Sequence, residues 1–116
     1  MAEAWRTRGN IFYFLGKHRE AIPCFEQARE GYRALDDLWK LSAVINDLGI
    51  MHFYLGDLNE AVYHFTQSLE IDELRKDTAG MTAGYTNLAM LMEKQGRLAE
   101  GAGYVEKALI LDSLTG

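Results

Sequence analysis

A period of 40 residues constrains this chain more than any other feature. Gly9, Gly49 and Ala89 stand 40 residues apart, and each is followed at one offset by a turn glycine, Gly16, Gly56 or Gly96. Beyond these come Glu20, Glu60 and Glu100, then Ala21, Ala61 and Gly101, then Phe25, Phe65 and Val105. Within a copy, residues such as Leu38, Leu41, Ile45, Leu48 and His52 recur every three or four positions, which lays one stripe along a helix. A pair of helices this short cannot bury its own apolar stripe, so the copies must stack into a solenoid.

The pattern predicts an all-α, right-handed helical-hairpin solenoid of three repeats, about 1–36, 37–76 and 77–116, with six antiparallel helices over 1–15, 19–34, 38–55, 58–74, 78–95 and 98–114. The first helix is expected to lack an opening turn, because the start of its counterpart near Leu38 falls, 40 residues earlier, ahead of Met1. Asp36 and Asp37 together, and Asp77 with Thr78, read as caps, and Asp57 three residues before Glu60 reads as a capping box. Pro23 falls within about the first turn of its helix, where little bonding is lost. Gly101 and Gly103 each cost about 1 kcal/mol relative to Ala inside a helix, which makes the last helix the softest.

Composition limits the function. With 116 residues and 48% apolar content the chain is one folded domain rather than a disordered segment. Twelve Lys and Arg against seventeen Asp and Glu leave a net charge of −5, and the basic residues are scattered, which excludes a nucleic-acid or anionic-membrane surface and favours a neutral or basic partner. The one cysteine, Cys24, cannot form an intramolecular disulfide, so a reducing compartment, the cytoplasm, is expected. No apolar run approaches the roughly 18–20 residues of a membrane span, and the first residues lack the features of a signal peptide.

The repeats resemble the tetratricopeptide family. Its pattern is carried by Trp5, Gly9, Phe12, Gly16, Ala21, Phe25 and Ala28, then by Ile45, Leu48, Gly49, Gly56, Ala61, Phe65 and Ser68, then by Tyr85, Leu88, Ala89, Gly96, Val105 and Ala108. Arg8, His52, Met92 and Gly101 depart from it, and the closing proline is absent from every copy. With 40 residues instead of the common 34, helices gain length, about 9 Å shared between two helices per repeat. Gly9, Gly49 and Ala89 are expected to face the equally small Ala21, Ala61 and Gly101, and Phe25 and Phe65 to fill the wedge between repeats.

The resemblance implies that function sits on an inner groove lined by the first helix of each repeat. Residues there that packing does not claim are Arg6, Asn10, Tyr13 and Phe14; Asn46, Asp47, Ile50, Phe53 and Tyr54; and Asn87, Met90, Glu93 and Lys94. Tyr13, Phe14, Phe53 and Tyr54 are open to two readings, helix packing or partner anchoring. Asn10, Asn46 and Asn87 carry amides able to pair with both N–H and C=O of an extended peptide. Relatives that grip chaperone tails use a basic and amide clamp, of which Arg6 and Asn10 match the first half. Asp47, Ala83 and Asn87 break the rest, and an uncompensated Asp47 would repel a tail carboxylate.

Chemistry is poorly supported. Cys24 and His64 occupy equivalent places on second helices, facing outward from the groove with no orienting partner, so a Cys-His catalyst is not expected. His18, His52 and His64 are spaced by 34 and 12 residues with no i, i+4 histidine pair, so they read as surface or rim residues, with no metal and no cofactor. Leu109, Ile110, Leu111 and Leu114 form an apolar patch on the last helix that is expected to be covered by a second copy or a further repeat. Three functions therefore compete: a non-enzymatic scaffold that docks a peptide or helix of another protein, a regulatory or sensor segment of a larger protein, and a self-assembly module.

Overall fold

The computed structural model describes residues 1–115, and among them every regular element is an α-helix. The helices are α1 (Ala2–Phe14), α2 (His18–Ala34), α3 (Leu38–Leu55), α4 (Leu58–Leu74), α5 (Thr78–Lys94) and α6 (Leu98–Thr115). Each packs chiefly on the helix before and after it, as a stack of hairpins requires. Two apolar clusters form the core. One joins Ala21, Phe25, Ala28 and Tyr32 of α2 to Leu41, Ile45 and Leu48 of α3, and the other joins Ala61, Phe65 and Leu69 of α4 to Leu88, Leu91 and Met92 of α5. Ile50 packs against both.

One device closes all five turns. Gly16, Gly56 and Gly96 adopt positive φ inside the repeats, and Asp36 and Lys76, both at φ 55°, do so between them. A left-handed residue after the last helical turn lets the following N–H groups return to orphan carbonyls. Asp36 is thus a turn residue and not a cap. Asp37 alone caps α3, accepting from the Lys40 N–H at 3.2 Å, and Asp77 caps α5 through the Gly80 N–H at 3.0 Å.

Three further expectations change. Asp57 precedes α4 but its side chain makes no cap hydrogen bond, so the capping box with Glu60 does not form. Pro23 lies six residues into α2, beyond the first turn, and the exposed ring is carried without a break. Small residues do not simply face small ones: a Cβ on Gly9 would lie 2.6 Å from the Phe25 ring, and one on Gly49 would lie 2.7 Å from the Phe65 ring. Each glycine is the socket into which the large aromatic of its own repeat fits.

Candidate partner-docking groove

The groove is built on α1, α3 and α5, and two side-chain pairs join these helices across the repeat boundaries. Arg6 Nε donates to Asp47 Oδ2 at 3.0 Å, and Asn87 Nδ2 donates to Asn46 Oδ1 at 3.0 Å. Burial raises the Asp47 carboxyl above the usual aspartate range, although the Arg6 guanidinium pulls it down. Asp47 is therefore compensated, contrary to the sequence expectation, and Arg6 is committed to it. The amide pair leaves Asn46 Nδ2 as a donor and Asn87 Oδ1 as an acceptor, with no other hydrogen-bond partner among the described residues.

Two adjoining cavities run along this face. The first, about 190 Å³, is lined by Asn10, Tyr13, Phe14, Asp47 and Ile50 over the Phe25 ring. The second, about 180 Å³, is lined by Tyr13, Ile50, Phe53, Tyr54, Asn87 and Met90 over Phe65. Tyr13 and Ile50 border both, so the cavities form one track. Its aromatics divide by burial. Phe14 is 82% exposed and Tyr54 is 54% exposed, whereas Tyr13 and Phe53 are half-buried against the core. Tyr54 stacks on His18 with ring centroids 4.9 Å apart, and Lys94 Nζ lies 5.6 Å from the Phe53 centroid. Glu93 lies apart from the track, beside Leu98 and Gly101 of α6.

The residues considered for chemistry are placed differently from their sequence reading. Cys24 and His64 are buried, not outward-facing, and each is satisfied by its own helix: Cys24 Sγ donates to the Glu20 carbonyl at 3.6 Å and His64 Nδ1 pairs with the Glu60 carbonyl at 2.8 Å. His64 is no rim residue, and His52 stacks on it with centroids 5.1 Å apart.

The patch on α6 is resolved residue by residue. Leu109, Ile110 and Leu114 are exposed and Leu111 is half-buried. A cleft of about 240 Å³ beside them is lined by Ala89, Met90, Leu98, Gly101, Ala102 and Val105. Val105 and Leu109 occupy the repeat positions of Phe65 and Leu69. Val105 is 44% exposed and Leu109 is 61% exposed, while Phe65 is 3% exposed because α5 seals it.

These features define a helical-repeat solenoid with a groove on its first helices. The tetratricopeptide repeat family model matches residues 1–73, well over half of the chain, and the chain belongs to that family. No curated protein matches it significantly in sequence. Similar solved structures include BtubC (BKLC) from P. vanneervenii, with TM-score 0.90 and 21% identity over 97% of this chain and 47% of that one. The tetratricopeptide domain of Arabidopsis FLU is similar with TM-score 0.87 and 19% identity, covering 94% of this chain and 92% of that one. The second such domain of Spaghetti (RPAP3), solved bound to the HSP90 peptide SRMEEVD, has TM-score 0.74 and 21% identity over 95% of this chain and 91% of that one. At these identities the likeness is one of fold. The chain spans about half the length of BtubC. Among the described residues no helix is long and apolar enough to cross a membrane.

Proposed function

We propose that this chain is a non-enzymatic interaction module that docks a peptide or short helix of another protein along the α1, α3 and α5 face. The observation that carries this reading is the continuous track of two cavities, walled by exposed Phe14 and Tyr54 and bordered by the amides of Asn10 and Asn87, the latter with its Oδ1 open as an acceptor; Asn46 holds Asn87 from the neighbouring cavity beside Ser42 and Ala83. Aromatic rings supply apolar area at low entropic cost, and the amides suit a peptide backbone, so affinity and register have separate sources. The net charge of −5 favours a neutral or basic ligand.

A chaperone tail of the kind bound by the Spaghetti domain is a poor fit. Arg6 is tied to Asp47, and Ala83 and Asn87 occupy the places where the family's clamp has basic residues, so a terminal carboxylate would find no free guanidinium there. Selection from a displayed peptide library tests the proposal. Tyr54→Ala and Phe14→Ala should each weaken the selected peptide by about 1 kcal/mol or more while thermal stability holds, because both rings are largely exposed. Peptides that bind both variants as tightly as the wild type would refute the groove.

A second reading rests on α6. Val105 and Leu109 lie open where the preceding repeat is sealed by the next helix, so this face is suited to a further helix, from a second copy or from a longer assembly of which the chain is a regulatory segment.

A further inference from the structure

The second repeat departs from both neighbours at three related positions and carries a histidine or an aspartate at each. Where the first and third repeats have Phe12 and Met92, it has His52; where they have Lys17 and Arg97, it has Asp57; where they have Cys24 and Tyr104, it has His64. Glu60 is common to all three, as Glu20 and Glu100. The α3–α4 hairpin gathers them. Nitrogen and carboxylate atoms of His52, Glu60 and His64 all lie within 4.8 Å of one another. His52 comes from the last turn of α3, and Glu60 and His64 lie one turn apart on α4. The two imidazoles stack with an interplanar angle of 13°.

Hydrogen bonds set the same tautomer on both rings. His64 Nδ1 donates to the Glu60 carbonyl at 2.8 Å, and His52 Nδ1 faces Asp57 Oδ2 at 3.5 Å. Each ring therefore keeps Nε2 as its lone-pair atom. An oxygen acceptor behind the far nitrogen is what orients histidines that ligate metals. It also accounts for the missing cap on α4, since the Asp57 carboxylate turns to His52 and not to its own helix.

We propose that His52 Nε2, His64 Nε2 and the Glu60 carboxylate hold a divalent transition-metal ion of the zinc class, with Asp57 positioning His52 and a fourth coordination place open to water. Two imidazoles and one carboxylate suit zinc, whereas calcium and magnesium prefer shells of oxygen. Metal bonds of about 2.0–2.1 Å set tetrahedral ligand atoms about 3.3 Å apart, so the site closes by about 1.5 Å. Glu60 is exposed and approaches by a change of rotamer, and the His52 ring must turn out of its stack on His64, because an ion lies in the plane of every imidazole that ligates it and two parallel stacked rings cannot share one. The bound ion would tie the end of α3 to the start of α4, the hairpin whose first helix borders both cavities of the groove.

Isothermal titration of the chain with zinc chloride, with magnesium chloride as control, tests the site. The expected result is one zinc per chain with a raised Tm, and no response to magnesium. His52→Gln and Glu60→Gln should each weaken zinc binding by at least about tenfold, and Asp57→Asn by about tenfold as loss of an orienting partner does. His18→Gln, a histidine outside the cluster, should leave zinc affinity unchanged. Glu60 is exposed and Gln keeps its size, so that variant separates loss of the site from loss of the fold, which far-ultraviolet circular dichroism verifies. Zinc binding weaker than roughly millimolar, or tight binding that survives both His52→Gln and Glu60→Gln, would overturn the proposal.

Discussion

Replacing Gly49 by Ala should destabilise the protein, whereas the same replacement at Gly103 should stabilise it. Both glycines lie inside helices, so each substitution gains about 1 kcal/mol of helix propensity. Their surroundings differ. A Cβ at Gly49 would lie 2.7 Å from Phe65 Cδ1, 2.7 Å from Cε1 and 3.2 Å from Cγ, while one at Gly103 meets nothing within 4 Å. The Phe65 ring is buried, and the crowded Cγ sits next to its own backbone, so the ring cannot swing clear without leaving its rotamer or parting α3 from α4. Overpacking of this kind costs about 1–3 kcal/mol, and the upper part of that range outweighs the propensity gain. The net expectation for Gly49→Ala is a loss of about 1–2 kcal/mol. With a urea m-value of about 1–3 kcal/mol per M, the unfolding midpoint falls by roughly 0.3–2 M. Gly103→Ala should raise stability by about 1 kcal/mol. Urea unfolding followed by far-ultraviolet circular dichroism reads both. Adding Phe65→Leu to Gly49→Ala should restore more stability than the two separate effects allow, because the smaller side chain vacates the contested space. Equal stability of Gly49→Ala and Gly103→Ala would refute the socket.

Two further outcomes are expected. Burial raises the Asp72 carboxyl above its usual range, with Asp77 adding to the effect and the Ser42 hydroxyl, 2.6 Å away, and Arg75 opposing it; its contribution to stability is thus present in acid, below the unfolded value of about 3.9, and lost as pH rises through the raised folded value. Asp72→Asn should accordingly stabilise the protein at pH 7–8 in urea unfolding, by a margin that shrinks toward pH 4, and a destabilised variant at neutral pH would contradict the burial cost. On α6, light scattering should show concentration-dependent association that Leu109→Lys and Ile110→Lys abolish, and a wild type that stays monomeric at high concentration would remove self-association as the cover of this face.

The helices and turns were legible because local rules and the repeat agree: Gly16, Gly56 and Gly96 mark the same turn three times, and each does so with positive φ. The boundary turns were harder, since Asp36 and Lys76 hold the left-handed conformation without a glycine to announce it. The groove pairs escaped notice for a geometric reason. Arg6 with Asp47 and Asn46 with Asn87 are both 41 residues apart, one more than the period, because equivalent first helices meet through neighbouring faces and not through identical positions. The histidine cluster is not legible in the spacing along single helices, because His52 reaches His64 across the α3–α4 hairpin. Burial of Cys24 and His64 was also invisible to the helical stripe, which counts polar side chains as outward by default.

Positions at which the copies agree build the solenoid, so on the proposed docking groove those at which they differ would carry specificity. At one set of equivalent positions the three repeats present Tyr13, Phe53 and Glu93, and at the next Phe14, Tyr54 and Lys94. The aromatic rings therefore belong to the first two repeats, while the third contributes Asn87 and Met90 to the second cavity, brings Lys94 to the Phe53 ring and turns Glu93 away beside α6. A ligand docked along this track would set its apolar anchors against Tyr13, Phe14, Phe53 and Tyr54 and its polar end toward α5. Lys94 already draws toward the Phe53 ring, so the charged end of the groove borders the aromatic part directly. An occupant with two apolar side chains followed by a polar one is then favoured in one direction over the reverse, because reversing it would strand a polar group over the rings and leave apolar surface beside Lys94.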